Sequence, residues 1–272
     1  MPLSELQTEL LRFLAVNRNP ESFVAGGVPL NLAAVRTSKD IDIFHNGAAR
    51  LMDTADADAA LLASHGYGVE WLQRREAICT AKITKGDQAT RLDWVVDSDF
   101  RFFPPMPHPI LGYVLHPADI ATNKALAAAS RREPRDAVDL VTIHEQFYPL
   151  GAILWAAVGK DPGWSPESLI AEIRRNARYQ DYELSGLQLQ RPITAAQLSQ
   201  KLRAALNEAE AFVTQMPSDE AGKLFLDDAH RIVQPDPARL DRYLPLVGSR
   251  GGHWPSSPEI AEAMLSAWSE KH

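Results

Sequence analysis

The sequence predicts an α+β fold, with a mixed sheet flanked by helices in residues 1–150 and an all-helical region in residues 151–272. Short strand-like runs and paired glycines are concentrated in the first part, whereas the apolar patterns after residue 150 have helical spacing. The length of 272 residues suits one large or two ordinary domains. A change in composition marks the predicted boundary, at Gly159, Pro162, Gly163 and Pro166.

Local patterns predict the first elements in chain order. Ser4 to Val16 is expected to be a helix, because its leucines recur at helical spacing. Ser22 to Ala25 is expected to be a short strand that ends in Gly26 and Gly27, a tight turn into a helix. Thr37 to Phe44 alternates polar and apolar residues and is predicted to be a half-buried strand.

The remaining elements follow from the same signals. An alanine-rich helix is predicted at Gly47 to His65. The next predicted strands are Ala77 to Thr84 and Ala89 to Val96, joined as a hairpin, and Tyr113 to Leu115. The later predicted helices are His116 to Arg132, Pro134 to Phe147, Pro166 to Tyr179, Ala195 to Gln215, Asp219 to Val233, Ala238 to Leu244 and Pro258 to Trp268.

Composition excludes several classes of protein. A hydrophobic content of 45% is that of a globular chain, and the net charge of −7 argues against binding nucleic acid through overall charge. The single cysteine, Cys79, cannot form an internal disulfide. The longest apolar run, Leu150 to Gly159, is too short to span a bilayer of about 30 Å. With no leader-like pattern at Met1 to Leu11, we expect a cytoplasmic protein without a membrane segment.

The pair Asp40 and Asp42 is the first candidate site. Residues two apart on a strand project from one face, and neighbouring carboxylates repel unless a cation lies between them. A hard cation such as Mg²⁺ or Mn²⁺ suits these oxygen ligands. The spacing alone is weak evidence, because Asp56 to Asp58 and Asp97 to Asp99 have it too and are interpreted as solvated acids.

The position of Gly26 and Gly27 strengthens this interpretation. Paired glycines between a strand and a helix let backbone N–H groups approach a phosphate closely, although a plain tight turn is the alternative. A phosphate-binding turn beside the carboxylates Asp40 and Asp42 provides the groups that phosphoryl or nucleotidyl transfer needs at a minimum. Asp93 interrupts a strongly apolar strand and is a candidate third acid. Its alternative is an outward-facing acid on an edge strand.

Basic residues on later helices are further candidates. Lys124, Ala128 and Arg131 share one helix face and could neutralise a triphosphate. The alternative is internal ion pairing, for example of Lys124 with Asp119, and of Arg135 with Asp136 and Asp139. A second basic cluster could contact RNA phosphates or be a solvated helix face; it consists of Arg174, Arg175 and Arg178.

Over about residues 20 to 145, these ordered motifs resemble the AbiEii/AbiGii-type nucleotidyltransferases, a branch of the DNA polymerase β-like superfamily. The matching strings are Val24-Ala-Gly26-Gly27, then Arg36-Thr-Ser38-Lys-Asp40-Ile-Asp42-Ile-Phe44, then Lys124 with Ala127, Arg131, Arg135-Asp136 and Asp139-Leu140. The resemblance implies a nucleotidyltransferase-like fold. One departure is Val28, where the family commonly has serine or threonine to contact the phosphates.

The resemblance also implies a role for each matching residue. Besides the metal ligands, the resemblance implies two further catalytic residues. Lys124 would contact the triphosphate, and Asp139 matches an acid that family members need. The implied metal ligands, for Mg²⁺ or Mn²⁺, are Asp40, Asp42 and Asp93. The implied nucleotide-binding residues are Gly26, Gly27, Arg36, Ser38 and Lys124.

The implied activity is metal-dependent transfer of an NMP from an NTP to an acceptor hydroxyl. An RNA 3′ end such as that of tRNA is the expected acceptor, with a protein side chain or a small molecule such as an aminoglycoside left open. Family members include toxins of toxin–antitoxin systems, so a cognate antitoxin is an expected partner. The alternative is a catalytically silent nucleotide-binding or protein-interaction module, which Val28 favours.

Overall fold

The computed structural model describes residues 3–30, 36, 38 and 40–255. The chain forms two compact units, of which the first is Met1–Asp99 with Pro104–Pro117 and the second is Phe100–Phe103 with Ala118–His272. The boundary predicted between residues 150 and 151 lies inside the second unit. Separate folding of residues 1–150 and 151–272 stays a prediction.

The helices and strands of the described residues are numbered in chain order. The helices are α1 (Glu5–Leu14), α2 (Gly27–Leu30), α3 (Leu51–Ser64), α4 (Pro117–Ser130), α5 (Pro134–Gln146), α6 (Leu150–Ala157), α7 (Pro166–Asn176), α8 (Asp181–Ser185) and α9 (Ala195–Val213). The strands are β1 (Ser22–Ala25), β2 (Asp40–His45), β3 (Gly68–Arg75), β4 (Ile78–Lys85), β5 (Gln88–Val96), β6 (Phe100–Arg101), β7 (Met106–His108), β8 (Gly112–Val114), β9 (Lys223–Leu226), β10 (Ile232–Val233), β11 (Leu244–Val247) and β12 (Ser249–Arg250).

The first unit is built on a sheet whose strand order is β3-β4-β5-β2-β1-β8-β7. β2 pairs with β5 and β1 pairs with β8 in parallel, and the other neighbours pair antiparallel. Helices α1 and α3 pack against each other and against β5. The structure therefore confirms the predicted fold class, a mixed sheet flanked by helices.

Helix α1 shows why the local predictions hold. Its first turn is closed by a capping box, in which Ser4 accepts from the Gln7 amide and the Gln7 side chain accepts from the Ser4 amide. The leucines with helical spacing are all buried, and they are Leu6, Leu10, Leu11 and Leu14. The predicted helix is thus confirmed, with an amphipathic face that enters the core.

The central strands divide their side chains between two faces. The apolar face of β2 and β5 consists of Ile41, Ile43, Leu92 and Trp94, each fully buried, and β5 packs against α3. The opposite face of β2 carries Asp40 and Asp42, both partly exposed. Since successive residues on a strand alternate in direction, burial of the apolar face turns both acids to the other side of the sheet.

A buried ion pair lies under the apolar face. Arg18 donates from Nη2 to both carboxylate oxygens of Asp58 at 2.6 Å, and both side chains are fully buried. Asp58 also accepts from Asn17 Nδ2 at 2.8 Å and from the Trp94 indole N–H at 2.7 Å. Asp58, predicted to be a solvated acid, is instead a buried anchor between α3 and β5, because four hydrogen bonds from three donor groups replace water.

Two described strands of this sheet escape sequence prediction, the short β7 and the longer β3. β3 pairs antiparallel with β4 at the edge of the sheet. Most of its side chains are exposed or partly exposed, and several are charged. An edge strand with little buried surface carries a weak period-two signal, so its position depends on β4 rather than on its own pattern.

The second unit is mainly helical, and α4, α5, α7 and α9 confirm the helices predicted at those positions, whereas α6 and α8 were not predicted as separate helices. Helices α5, α6 and α7 pack against α9. Within the described part of the chain, no helix is both long and apolar enough to cross a membrane. The helix predicted at residues 258–268 lies outside the described residues.

The prediction that residues 151–272 are all-helical is wrong around residue 225. In place of the helix predicted at Asp219 to Val233, strands β10, β9 and β11 form an antiparallel sheet. Gly222 has a φ of +84°, and a Cβ there would lie 2.9 Å from the Cα of Gly159, so the chain turns where a helix would continue. The residues predicted as a helix from Ala238 to Leu244 form a short 3₁₀ helix, Pro237–Arg242, followed by β11.

Candidate functional site

The turn between β1 and α2 has the geometry expected of the paired glycines. Gly26 has a φ of +69°, in the left-handed region that favours glycine. A Cβ at Gly26 would lie 2.2 Å from Oδ2 of Asp42, so the backbone of this turn lies directly against the Asp42 carboxylate. A Cβ at Gly27 would lie 2.6 Å from Nη2 of Arg36. The absence of side chains at both glycines thus leaves room for Asp42 and Arg36.

The parallel pairing of β2 and β5 brings the predicted acids together. Asp42 lies opposite Asp93, and Asp40 lies opposite Arg91. Adjacent strands are about 4.8 Å apart, and paired residues in register point to the same face. Asp40, Asp42 and Asp93 therefore share one face of the sheet, as the sequence interpretation expected, and Asp93 lies on a central strand rather than at an edge.

Asp93 is held by two neighbours on the same face. The side chain of Asp93 is almost completely buried, and its Oδ1 accepts a hydrogen bond of 2.7 Å from the Thr80 hydroxyl. Arg91 forms an ion pair with Oδ2 at 2.7 Å and also donates from Nε to the carboxylate. The free-energy cost of burying the Asp93 carboxylate is offset by its hydrogen bonds to the Thr80 hydroxyl and the Arg91 guanidinium.

Arg91 belongs to the same candidate site, and the sequence interpretation missed it. Its pKa is raised above the ordinary arginine value, chiefly by the hydrogen bonds with Asp93 and further by the charges of Asp40 and Asp42. The guanidinium therefore lies in the field of all three acids. The available signal was its position two residues before Asp93, since a strand places both on one face.

The donor chemistry of this face fits a hard divalent cation. Asp40 and Asp42 supply carboxylate oxygens on one strand, with Asp93 in register beside them. Among the residues that the structure describes, no group of three His, Cys, Asp or Glu side chains is arranged to hold one metal ion. In this structure the Asp93 carboxylate is engaged with Arg91 and Thr80.

Arg36 and Ser38, which precede the acid pair, are buried. Ser38 donates from its hydroxyl to the backbone carbonyl of Asp40 at 2.8 Å, and its own carbonyl accepts from Gln7 at 3.0 Å. Arg36 is only 5% exposed, with its guanidinium against Gly27. In this structure Ser38 fixes the start of β2, and Arg36 lines the glycine turn.

In the second unit, Lys124 and Asp139 lie together in a buried charge network. Lys124 Nζ forms ion pairs of 2.7 Å with Asp139 and 3.4 Å with Asp136. Arg131 forms an ion pair of 2.7 Å with Asp136. Asp136 and Asp139 are fully buried, and Lys124 is nearly so. A lysine from α4 and Arg131, which directly follows that helix, therefore neutralise two acids from α5.

The proposed pairing of Lys124 with Asp119 is wrong. Asp119 instead forms an ion pair of 2.7 Å with Lys160 and accepts hydrogen bonds from the amides of Phe102 and Phe103. Its carboxylate is thus already saturated inside the second unit, and Lys124 pairs with the acids of the next helix. Arg135 has Glu133 as an ion-pair partner, at 3.9 Å.

No protein-family model matches the chain, and no curated protein matches it either. The resemblance to the AbiEii/AbiGii family stays a prediction. Among solved structures, the nucleotidyltransferase toxin MenT4 from Mycobacterium tuberculosis H37Rv is similar, with a TM-score of 0.51 and 15% identity. That match covers 96% of this chain and 90% of MenT4.

Two further solved structures show weaker similarity. A candidate nucleotidyltransferase from H. pylori has a TM-score of 0.43 and 16% identity, covering 76% of this chain and 98% of that protein. The Cid1 poly(U) polymerase with bound MgGTP has a TM-score of 0.30 and 12% identity, covering 98% and 88%. The mixed sheet flanked by helices matches the fold of MenT4.

Proposed function

We propose that the chain is a metal-dependent nucleotidyltransferase that transfers an NMP from an NTP to an acceptor hydroxyl. One observation carries the proposal. Asp42 lies in register with Asp93 across parallel strands, and the backbone of Gly26 lies against the same Asp42 carboxylate. The acids that would bind a metal ion therefore lie next to the glycine turn that would bind the phosphates, as nucleotidyl transfer requires.

The glycine turn is the proposed contact for the triphosphate in the first unit. Without side chains, Gly26 and Gly27 let phosphate oxygens approach the backbone amides. Arg36 lies against Gly27 and supplies a positive charge at the same turn. The hydroxyl of Ser38 acts indirectly in this proposal, since it fixes the backbone of Asp40.

The proposed reaction is an in-line displacement at the α-phosphorus. The acceptor oxygen forms a new bond to phosphorus while the bond to the β-phosphate oxygen breaks, and pyrophosphate leaves with that electron pair. The hydroxyl proton passes to a carboxylate of the acid face, for which Asp93 is the candidate. Asp40 and Asp42 hold the reacting groups in position, so catalysis consists chiefly of orientation and electrostatic stabilisation.

The acid face would also hold the metal ion. Asp40 and Asp42 would bind Mg²⁺ or Mn²⁺, with Asp93 joining them once its carboxylate separates from Arg91. Such an ion neutralises phosphate charge and makes the attacking hydroxyl easier to deprotonate.

Lys124 and Asp139 have a proposed role in the same reaction. Lys124 would contact the triphosphate, and Asp139 would hold its ammonium group in place. The 2.7 Å ion pair between them supports the positioning part of this proposal. Because Asp136 also lies near Lys124, an incoming phosphate would compete with two buried carboxylates for one cation.

The acceptor is proposed to be an RNA 3′ end such as that of tRNA, with a small molecule such as an aminoglycoside as the less favoured candidate. The solved neighbour MenT4 is named a nucleotidyltransferase toxin. By analogy we propose that this chain acts in the cytoplasm as the toxin of a toxin–antitoxin pair. Growth arrest on expression, relieved by a neighbouring gene product, would support that role.

A transfer assay tests the proposed function. The purified chain is incubated with each α-labelled NTP, Mg²⁺ and total RNA, beside the variants Asp42→Ala and Asp56→Ala. Asp56 also belongs to a D-x-D pair, but its carboxylate is exposed on α3 and bonded to Arg74. We expect transfer by the unmodified chain and by Asp56→Ala, and none by Asp42→Ala.

The labelled product identifies the acceptor. Thermal unfolding of Asp42→Ala checks that it is folded, and titration with a fluorescent NTP measures its nucleotide binding. If the unmodified chain transfers no label to RNA or to an aminoglycoside and shows no metal-dependent NTP binding, the enzyme proposal is wrong.

A catalytically silent nucleotide-binding module is the second candidate. Val28 follows the paired glycines, and its side chain is a fully buried core residue that offers no hydroxyl to a phosphate. Metal-dependent NTP binding without transfer to any acceptor would favour this candidate. The Val28→Ser variant tests whether the missing hydroxyl weakens nucleotide binding, because a gain of NTP affinity would show that it does.

A further inference from the structure

The second unit contains a basic pocket between α7 and α9. Its volume is about 300 Å³, at the low end for ligand pockets. Three arginines surround it, Arg174 and Arg178 from α7 and its C-terminal extension, and Arg203 from α9. Leu202 and Leu206 are among its lining residues and are buried. The pocket therefore combines an apolar wall with a cationic rim.

Arg174 organises this pocket rather than facing a free ligand. Its guanidinium donates to Glu210 at 2.8 and 3.1 Å and to Asn207 Oδ1 at 2.8 Å. These bonds link α7 to α9 and use the charge of Arg174. They also engage the amide oxygen of Asn207, so its NH₂ group remains as the donor that Asn207 can offer to a ligand.

Arg178 and Arg203 are different, because neither guanidinium is within 4 Å of a carboxylate in the described part of the chain. Arg203 contacts the Ser199 hydroxyl at 3.4 Å, and both arginines are exposed. Two uncompensated cations around one small pocket repel each other, so an anion that bridges them would be stabilised. In a chain with net charge −7, this is a local reversal of sign.

We infer that this pocket binds a backbone phosphate and its ribose in a single-stranded RNA acceptor, an inference that rests on the proposed function. Arg178 and Arg203 would contact the phosphodiester oxygens. Leu202 and Leu206 would pack against the carbon face of the ribose, and the Asn207 NH₂ group or the Ser199 hydroxyl would bond to its hydroxyls. The 2′-hydroxyl is the group that distinguishes RNA from DNA in such a contact.

The test is fluorescence anisotropy of a labelled single-stranded RNA with the full chain over a range of salt concentrations. The double variant Arg178→Ala/Arg203→Ala removes the two rim charges and leaves Arg174 to hold the helices. Arg175→Ala is the matched control, because Arg175 lies on the same helix, is paired with Glu172 and does not line the pocket. Thermal unfolding checks that both proteins are folded.

We expect the double variant to bind RNA about tenfold more weakly, with a salt slope less steep by about 0.7, the contribution of one phosphate contact on a single strand. Arg175→Ala should bind like the unmodified chain. Equal RNA affinity of all three proteins, or no RNA binding by the unmodified chain, would overturn the inference.

Inorganic phosphate and NTP carry the same phosphate groups as RNA, so a second titration tests whether the pocket binds one of them instead of RNA. A fluorescent NTP analogue with Mg²⁺ should bind the double variant as it binds the unmodified chain. Loss of NTP binding, or displacement of RNA by inorganic phosphate at low concentration, would assign the pocket to a small anion instead. Asp42→Ala should retain RNA binding, so a failure of label transfer and a failure of the pocket are distinguishable.

Discussion

Asp42 and Asp93 lie directly opposite each other on the parallel strands β2 and β5, although 50 residues of sequence separate them. Each has a further partner on the same face, since Asp42 lies against the backbone of Gly26 and Asp93 is paired with Arg91. This relationship joins the glycine turn, the acids and an arginine into one surface whose parts can be tested separately.

Gly26→Ala should damage both stability and nucleotide binding. The new Cβ would lie 2.2 Å from Asp42 Oδ2, at a residue whose φ is +69°. Gly66→Ala is the matched control, because Gly66 has a φ of +80° but nothing within 4 Å of its Cβ position. Urea unfolding should show a loss of about 1–2 kcal/mol for Gly66→Ala, from backbone strain alone. Gly26→Ala should lose about 1–3 kcal/mol more, and equal losses would contradict the close contact.

Arg91→Gln should strengthen metal binding. Its removal takes away the cation that engages Asp93 and leaves three acids with less compensation. Titration with Mn²⁺, followed by electron paramagnetic resonance, should show about three- to tenfold tighter binding. Arg74→Gln is the control, because Arg74 pairs with the exposed Asp56. Unchanged Mn²⁺ affinity in Arg91→Gln would show that Arg91 does not compete with metal.

Asp58→Ala should destabilise the first unit strongly. It leaves Arg18 buried without its carboxylate and removes the acceptor of the Trp94 indole. Breaking a buried ion pair in this way costs about 3–5 kcal/mol. The exposed neighbour Asp56, changed to Ala, should cost less than about 1 kcal/mol. Urea unfolding of both variants checks this, and similar losses would argue against a buried anchor at Asp58.

His45 should make stability depend on pH between 6.5 and about 4. Burial, with a further contribution from the charge of Arg18, lowers the pKa of His45 from its ordinary value of 6.5 to about 4. In that window the unfolded chain binds the extra proton, so stability is full above pH 6.5 and falls as pH decreases towards 4. The loss from this residue is at most about 3 kcal/mol.

His45→Gln removes the titrating group and isolates its contribution. The difference in unfolding free energy between His45→Gln and the unmodified chain should change across pH 6.5 to 4 and be constant above pH 7. A difference that stays constant over the whole range would show that His45 titrates normally.

The charge network of the second unit offers a test that separates stability from nucleotide contact. Lys124→Met removes a cation that is ion-paired with the buried acids Asp136 and Asp139, and should cost about 3 kcal/mol. Lys124→Met/Asp139→Asn removes one charge of each sign and should recover most of that stability. If Lys124 contacts the triphosphate, NTP affinity should stay low in the double variant. Recovery of both properties would make Lys124 purely structural.

The predictions from sequence succeeded where neighbouring residues encode the signal. The alternation around Asp40 and Asp42 and the glycines after β1 located the acid pair and the turn, because strand period and φ preference are local properties. The strand at Leu224 to Leu226 was not predicted, because the signal that places it is not local. Buried on a strand between two others, it shows no alternation, and its position in a sheet is decided by strands β10 and β11.

The sequence by itself determined the mixed sheet flanked by helices, the paired glycines, the acid spacing and the amphipathic helices. Only the tertiary structure decided that Asp42 meets Asp93, that Arg91 occupies the same face, and that Lys124 pairs with Asp139 rather than Asp119. Strand order, register and the partners of a buried charge depend on contacts between residues far apart in the chain. Those contacts form only when the whole core excludes water, so local patterns cannot specify them.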